Sequence, residues 1–176
     1  MRTYQRVYIP GACYFFTVNL AHRRGNDLLV RHVGTLREAV AVTRSNHPFA
    51  IHAMVVLPDH LHALWQLPDG DADFSTRWRL IKARFARAVP GHETTDPSRA
   101  RRGERGIWQR RFWEHSIRDA RDWQRHMDYI HYNPVKHGHV ERAIDWPYSS
   151  FHRHVRAGRY APDWGASPAV REMDLG

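Results

Sequence analysis

The 176-residue chain is 42% hydrophobic and 26% charged, a globular balance that excludes a disordered polymer and suits one domain with a proper core. No apolar run approaches the ~18 residues needed to cross a bilayer. The opening MRTYQRVYIPG has no apolar signal core, and a single cysteine, Cys13, excludes an intrachain disulfide, so a reduced, cytoplasmic setting is expected.

Lys and Arg outnumber Asp and Glu by 27 to 18, a formal net charge of +9. That excess calls for a polyanionic partner. Only Lys82 and Lys136 are lysines. Arginine forks phosphate oxygens and stacks on bases, which lysine does not. A GC-rich genome would also favour arginine codons, but it would not produce the net charge.

In chain order, CYFFTVNL (Cys13 to Leu20) follows Pro10-Gly11 and reads as a strand, being aromatic and β-branched. Leu28 to Arg44 has apolar residues at helical spacing. Phe49 to Leu57 is a second strand, Pro58-Asp59 a turn, and His60 to Leu67 a third strand completing a hairpin. PDGDAD (Pro68 to Asp73) starts a helix whose apolar stripe is Phe74, Trp78, Ile81, Phe85 and Val89. Pro90 to Gly106 reads as a surface loop. A fourth strand is expected within Trp108 to Ile117. Asp119 to His137 is a helix with Trp123, Met127 and Ile130 inward and Gly138 at its stop. The order suggests an α+β fold, an antiparallel sheet backed by helices. One domain is expected over residues 1–165, with a tail over 166–176.

Fourteen histidines make roughly one H-x-H pair expected by chance, and three occur. His137 and His139 flank a helix end and share no face, and His152 and His154 diverge if helical. His60 and His62 differ. In a strand, residues i and i+2 point to one face, about 6–7 Å apart. Leu61 and Ala63 would point the other way. Two imidazoles on an otherwise apolar element would be costly without partners, and at that spacing they can share a metal ion. Tyr129 and Asn133 lie at i and i+4 on one helix face, beside the Met127/Ile130 face. An amide oxygen from Asn133 with two imidazoles and waters suits Mg²⁺ or Mn²⁺. Pro134 biases Asn133 away from helical dihedrals, so a kink is expected there. A tyrosine next to such an ion can act as a nucleophile on phosphorus. Equally, Tyr129 could be a half-buried packing residue.

The ordered segments YIPGACYFFTVNL, HAMVVLPDHLHALWQLP, DFSTRWRLIK, IWQRRFWEHSIRD, DYIHYNPVKHG and DWPYSSFHRHVRAGRYAPDW resemble the single-tyrosine HUH transposases. The likeness is greatest to the REP-associated tyrosine transposases of bacteria. It spans about Tyr8 to Trp164. It implies a ferredoxin-like, RRM-like HUH endonuclease fold. His60 and His62 would be metal ligands, and Tyr129 the nucleophile that forms a 5′-phosphotyrosine and frees a 3′-OH. Asn133 stands where related insertion-sequence enzymes carry glutamine as third ligand. The implied cofactor is Mg²⁺ or Mn²⁺. The implied partner is single-stranded or hairpin DNA of REP-type palindromes, handled by a monomer or homodimer, with the protein nucleoid-associated.

Beside this, IWQRRFWEHSIR interleaves Trp108, Phe112 and Trp113 with Arg110, Arg111 and Arg118, suiting stacking on unpaired bases and phosphate contact. Arg77, Arg84 and Arg87 lie off the apolar stripe of their helix, where they would contact a hairpin stem. The competing reading is a hairpin-binding protein of the same fold without catalysis. A histidine-triad hydrolase would need H-x-H-x-H, and Leu64 occupies the last position. Tyr132 adjoins Asn133 in sequence but points away from it, which favours Tyr129.

Overall fold

A computed structural model describes residues 6–91 and 97–175. The first five residues, part of the expected surface loop (92–96) and Gly176 lie outside the described residues. Four strands, β1 (Cys13–Asn19), β2 (Ala50–Val56), β3 (His60–Gln66) and β4 (Trp113–Ser116), form one sheet in the order β2-β3-β1-β4. All neighbours are antiparallel, with Thr17 opposite His62 and Asn19 opposite His60. Strand order and connections are those of the ferredoxin-like fold that the sequence implied. Pro58 and Asp59 turn the β2–β3 hairpin, and Leu57 N donates to His60 O at 2.9 Å across it.

Helices α1 (Leu28–Arg31), α2 (Val33–Asn46), α3 (Phe74–Ala88), α4 (Pro97–Ala100), α5 (Ala120–Lys136), α6 (Phe151–Arg156) and α7 (Pro168–Arg171) complete the chain. They cover both faces of the sheet. On one face Phe16, Val18, Leu61, Ala63 and Trp65 pack against α2 and α3. Trp65 stacks on Trp78 at 4.2 Å between centroids. On the other face Phe15, Ala53, Val55 and Leu64 pack against Met127, Tyr129 and Ile130 of α5 and against Phe151, Tyr160 and Val170. Burial on both sides explains why β1 and β3 carry almost no polar alternation.

Two helices depart from expectation. The helix expected over Leu28 to Arg44 is broken at His32. Leu29 N donates to Pro58 O, which ties the short α1 to the hairpin turn. In α5, where a kink was expected at Pro134, the helix includes the proline and runs on to Lys136. Only the Ile130 carbonyl loses its i+4 donor there. Asp119 caps the N-terminus, accepting from Asp122 N at 2.8 Å. At the other end Gly138 sits at φ +69°, and the turn closes with Gly138 N to Val135 O and His139 N to Pro134 O.

Arg77, expected at the surface, is 3% exposed. Its guanidinium spans both Asp71 oxygens, at 3.1 and 2.7 Å, and donates to the carbonyls of His47, Pro48 and Asp73. It therefore ties the end of α2 and the loop before β2 to the start of α3. A DNA phosphate cannot reach it. Arg77→Met is expected to lower stability by about 2–4 kcal/mol, since it removes a nearly buried guanidinium that pairs with Asp71 and holds three backbone carbonyls at once. Urea unfolding measures this, and the salt dependence of DNA binding should not change.

Candidate active site

His60 and His62 project from β3 to the α5 face, their rings 5.0 Å apart. Both are buried. The lone-pair bookkeeping around them defines the site. His60 Nδ1 lies 2.6 Å from Asp59 Oδ1. A carboxylate only accepts, so Nδ1 carries a proton, which in the neutral ring leaves Nε2 as the lone pair. Arg23 Nε braces the same carboxylate at 2.8 Å. Burial would raise the Asp59 pKa, but the hydrogen bonds from His60 and Arg23 outweigh it and hold the carboxyl well below its usual range. His62 Nδ1 lies 2.9 Å from Thr17 Oγ1, whose own proton goes to Leu175 O at 2.7 Å. Thr17 must then accept from His62, which again leaves Nε2 bare. Burial, with His60, His137 and Arg23 nearby, pushes the His62 pKa well down, so this imidazole is neutral.

The two Nε2 atoms and Asn133 Oδ1 are buried, and none has a hydrogen-bond partner. The Asn133 amide nitrogen points back to Tyr129 O at 3.5 Å, and its side chain makes a weak polar contact with His62, short of a well-formed hydrogen bond, that raises the imidazole pKa against the larger effect of burial. Three unpartnered lone pairs on adjoining buried side chains are costly unless something is received there. A divalent cation fits this donor set. Two imidazoles favour Mn²⁺ over the oxygen-seeking Mg²⁺.

Tyr129 is 1% exposed, with its ring 5.3 Å from His62 and 6.0 Å from Phe15. Tyr129 and Asn133 thus lie on the buried face with Ile130, not beside it. Leu175 N donates to Tyr129 Oη at 3.2 Å, so the C-terminal segment passes over the phenol. Tyr132 packs at the periphery, near Arg171.

Three neighbours escaped the sequence reading. His137 lies 5.1 Å from His60, although its pair with His139 looked incidental in sequence; its N–H still bonds to Asn133 O, so the last turn of α5 presents it at i+4 from Asn133. Burial, then His60 and His139, lowers its pKa to about 4. Lys136 Nζ stands 5.2 Å from the Tyr129 ring centre. Its place at i+7 from Tyr129 and i+3 from Asn133 was the available signal. Thr17 had none, because only strand pairing brings it to His62.

A second group, His115, Asp122 and His126, has ligand atoms all within 4.8 Å and could hold a metal ion. It differs in being satisfied already. Asp122 Oδ2 receives His115 Nε2 at 2.7 Å and the Arg118 backbone and side chain, and His126 Nδ1 meets Asp122 O at 2.8 Å. The group joins β4 to the first turn of α5.

The remaining expected DNA contacts divide by face. Trp108 is buried and donates Nε1 to Lys82 O, a core role instead of a surface one. Phe112 is half-buried on the α3 side with Arg6 4.1 Å above its ring. Arg84 is half-buried, whereas Arg87, Arg110 and Arg111 are exposed. Arg118 and Trp113 are exposed on the α5 side. Between α3 and the segment leading to β4 lies an open cavity of about 700 Å³, lined by Arg6, Arg79, Lys82, Arg87, Arg99 and Arg110 among others. Burial, then Arg6 and Arg99, pushes the Lys82 pKa down to about 8. Among the described residues, no helix is long and apolar enough to cross a membrane.

No family model matches the chain. It is 48% identical over 164 residues to a REP-associated tyrosine transposase of Escherichia coli K12, covering 93% of this chain and 91% of that protein. It is 45% identical over 172 residues to a putative REP-associated tyrosine transposase of Haemophilus influenzae, covering 97% of each. A solved structure described as a REP-associated tyrosine transposase bound to a REP hairpin superposes with a TM-score of 0.81 at 44% identity, over the whole of both chains.

Mn²⁺ titration by calorimetry should give an isotherm that His60→Ala or His62→Ala abolishes. Asp59→Asn should weaken it about 10- to 100-fold by loosening the tautomer. Loss on His126→Gln instead would assign the ion to the other group.

Proposed function

Because the chain belongs to the REP-associated tyrosine transposase family, we propose that it binds REP-type hairpin DNA and nicks and rejoins single-stranded DNA through Tyr129. The observation that carries this reading is the placement of Tyr129 against His62, beside three buried lone pairs with no partner. In the forward step Tyr129 Oη bonds to phosphorus and the bond to the 3′ oxygen breaks. The phenol loses one proton and the departing 3′-OH gains one. The phosphodiester energy is kept in the 5′-phosphotyrosine, so a 3′-OH can reverse the step.

His60, His62 and Asn133 would hold the ion, which when bound polarises the scissile phosphate and orients it in line. The protein's own groups do the rest. Asp59 and Thr17 hold the imidazoles in their Nε2-bare tautomers. Lys136, with its ammonium near Tyr129, offsets negative charge as the phenol ionises. The strand must displace Leu175 to reach Tyr129 Oη, since the two are hydrogen-bonded.

The cationic cavity is assigned to hairpin phosphates. It opens on the α3 side, opposite the nucleophile. The segment from Gln109 to Trp113 leads from one to the other around the β4 edge, with Phe112 on the α3 face and Trp113 on the α5 face. A hairpin held in the cavity can therefore feed a single strand past the edge to Tyr129. On this reading the protein works in the cytoplasm, next to the nucleoid.

Hairpin oligonucleotides labelled at either end and incubated with Mn²⁺ should give a covalent band on denaturing gels, carried by the 3′ fragment and absent in Tyr129→Phe. Salt-sensitive binding with no adduct across hairpins and metals would favour the non-catalytic reading. A phosphate in the cavity would restore the charge of Lys82, so binding takes up a proton. Affinity should then fall as pH rises above about 8, by up to about tenfold per unit for one proton. Lys82→Met should flatten that dependence in a fluorescence-anisotropy titration.

A further inference from the structure

We propose that Trp113, backed by His115 and His126, is a stacking platform for one unpaired base of the single strand beside Tyr129. The inference rests on the strand-nicking reading and specifies which part of the strand the protein grips. Trp113 is 37% exposed, the one exposed tryptophan among the described residues. An indole left in water at a sheet edge gains from a flat partner, since base stacking on aromatic side chains is favourable for any base.

Its surroundings are organised for that use. The indole lies 10° from parallel to the His115 ring at 6.0 Å, and His115 lies 16° from parallel to His126 at 4.7 Å. The column is rigid at its base. Asp122 takes His115 Nε2, and the Asp122 carbonyl takes His126 Nδ1. The Trp113 and Phe15 rings meet at a steep angle, 70°, with centroids 5.7 Å apart. His115 backs the indole and Phe15 holds it from the side, while over a third of Trp113 stays in solvent, open to a flat partner.

Position selects the occupant. Phe15 also contacts His62 at 5.4 Å and Tyr129 at 6.0 Å, so one ring separates the indole from both the nucleophile and a candidate ligand. A base on Trp113 would sit beside the scissile phosphate. Arg111 and Arg118 are exposed on either side of β4 in sequence, and Arg118 keeps 71% of its side chain in solvent while paired to Asp122. Two cations around an exposed indole complement a phosphodiester chain better than a protein or lipid partner. As an edge strand, β4 leaves the approach unobstructed.

The test places 2-aminopurine at successive positions in the 5′ and 3′ single-stranded extensions of a hairpin, and titrates it with Tyr129→Phe protein so that no cleavage intervenes. One position is expected to be quenched strongly. Trp113→Leu, which keeps an apolar side chain on β4 but cannot stack, should abolish that quenching and weaken binding of extended hairpins about 5- to 100-fold. Affinity for a blunt hairpin should hold within about twofold, and Trp113→Phe should restore part of the quenching. An unchanged melting temperature separates the effect from unfolding. Equal quenching with and without Trp113, or none at any position, would overturn the platform. If the chain with Tyr129 intact still forms the covalent adduct in that case, the nicking reading survives. Quenching without any adduct would keep the platform and sink the nuclease.

Discussion

Burial of β1 and β3 on both faces is the constraint on which the rest depends. The helices on both faces leave little water for a polar group on these strands, so an unpartnered one there is costly. Thr17, His60 and His62 are the polar residues that β1 and β3 bury there. Thr17 meets His62 and the chain end, and Asp59 meets His60. These bonds satisfy the Nδ1 sides of the rings. They leave both Nε2 atoms bare together, next to an equally bare amide oxygen on α5. The same low-dielectric setting that makes such atoms costly makes them strong ligands, because they have no water to give up.

Helix α5 carries most of what else the site needs, and its two ends are fixed differently. At its start, Asp119 and Asp122 cap it and link it to β4 through His115. At its end, the last helical turn sets His137 against His60, and Gly138 stops the helix directly after it. Tyr129, Asn133 and Lys136 lie between these anchors on one face, so their spacing is set by a well-held helix rather than by a loop. Pro134 costs little there, because only one backbone hydrogen bond is removed and its ring is itself buried.

The charge distribution separates two tasks. Cations crowd the cavity on the α3 side, where burial and then repulsion from Arg6 and Arg99 already lower the Lys82 pKa. On the α5 side the buried imidazoles His60 and His62 leave bare nitrogens beside Tyr129, with cations such as Lys136 and Arg118 around them. An anion is favoured in the first place and a cation in the second. The edge strand β4 joins them, and its alternation sends Phe112 to one and Trp113 to the other.

Much of this was legible in the sequence because it rests on local periodicity. A two-residue period put His60 and His62 on one face with Leu61 and Ala63 opposite, and a helical period grouped Tyr129 with Asn133. Strand and helix order pointed to the α+β sheet for the same reason. What only the tertiary structure decided involves long-range pairing or a change of direction. His137 meets His60 only because the end of α5 packs over the start of β3, although its i+4 spacing from Asn133 was there to read. Thr17 reaches His62 only through the β1–β3 register. Arg77 and Trp108 look like surface residues from the composition of their neighbours, but Arg77 closes on carbonyls some 30 residues earlier and Trp108 is buried beside α3. The end of the chain, which has no periodicity to read, is placed by three contacts with Thr17, Tyr129 and Lys136. Local pattern determines which face a side chain takes, and only the packed fold determines what waits on that face.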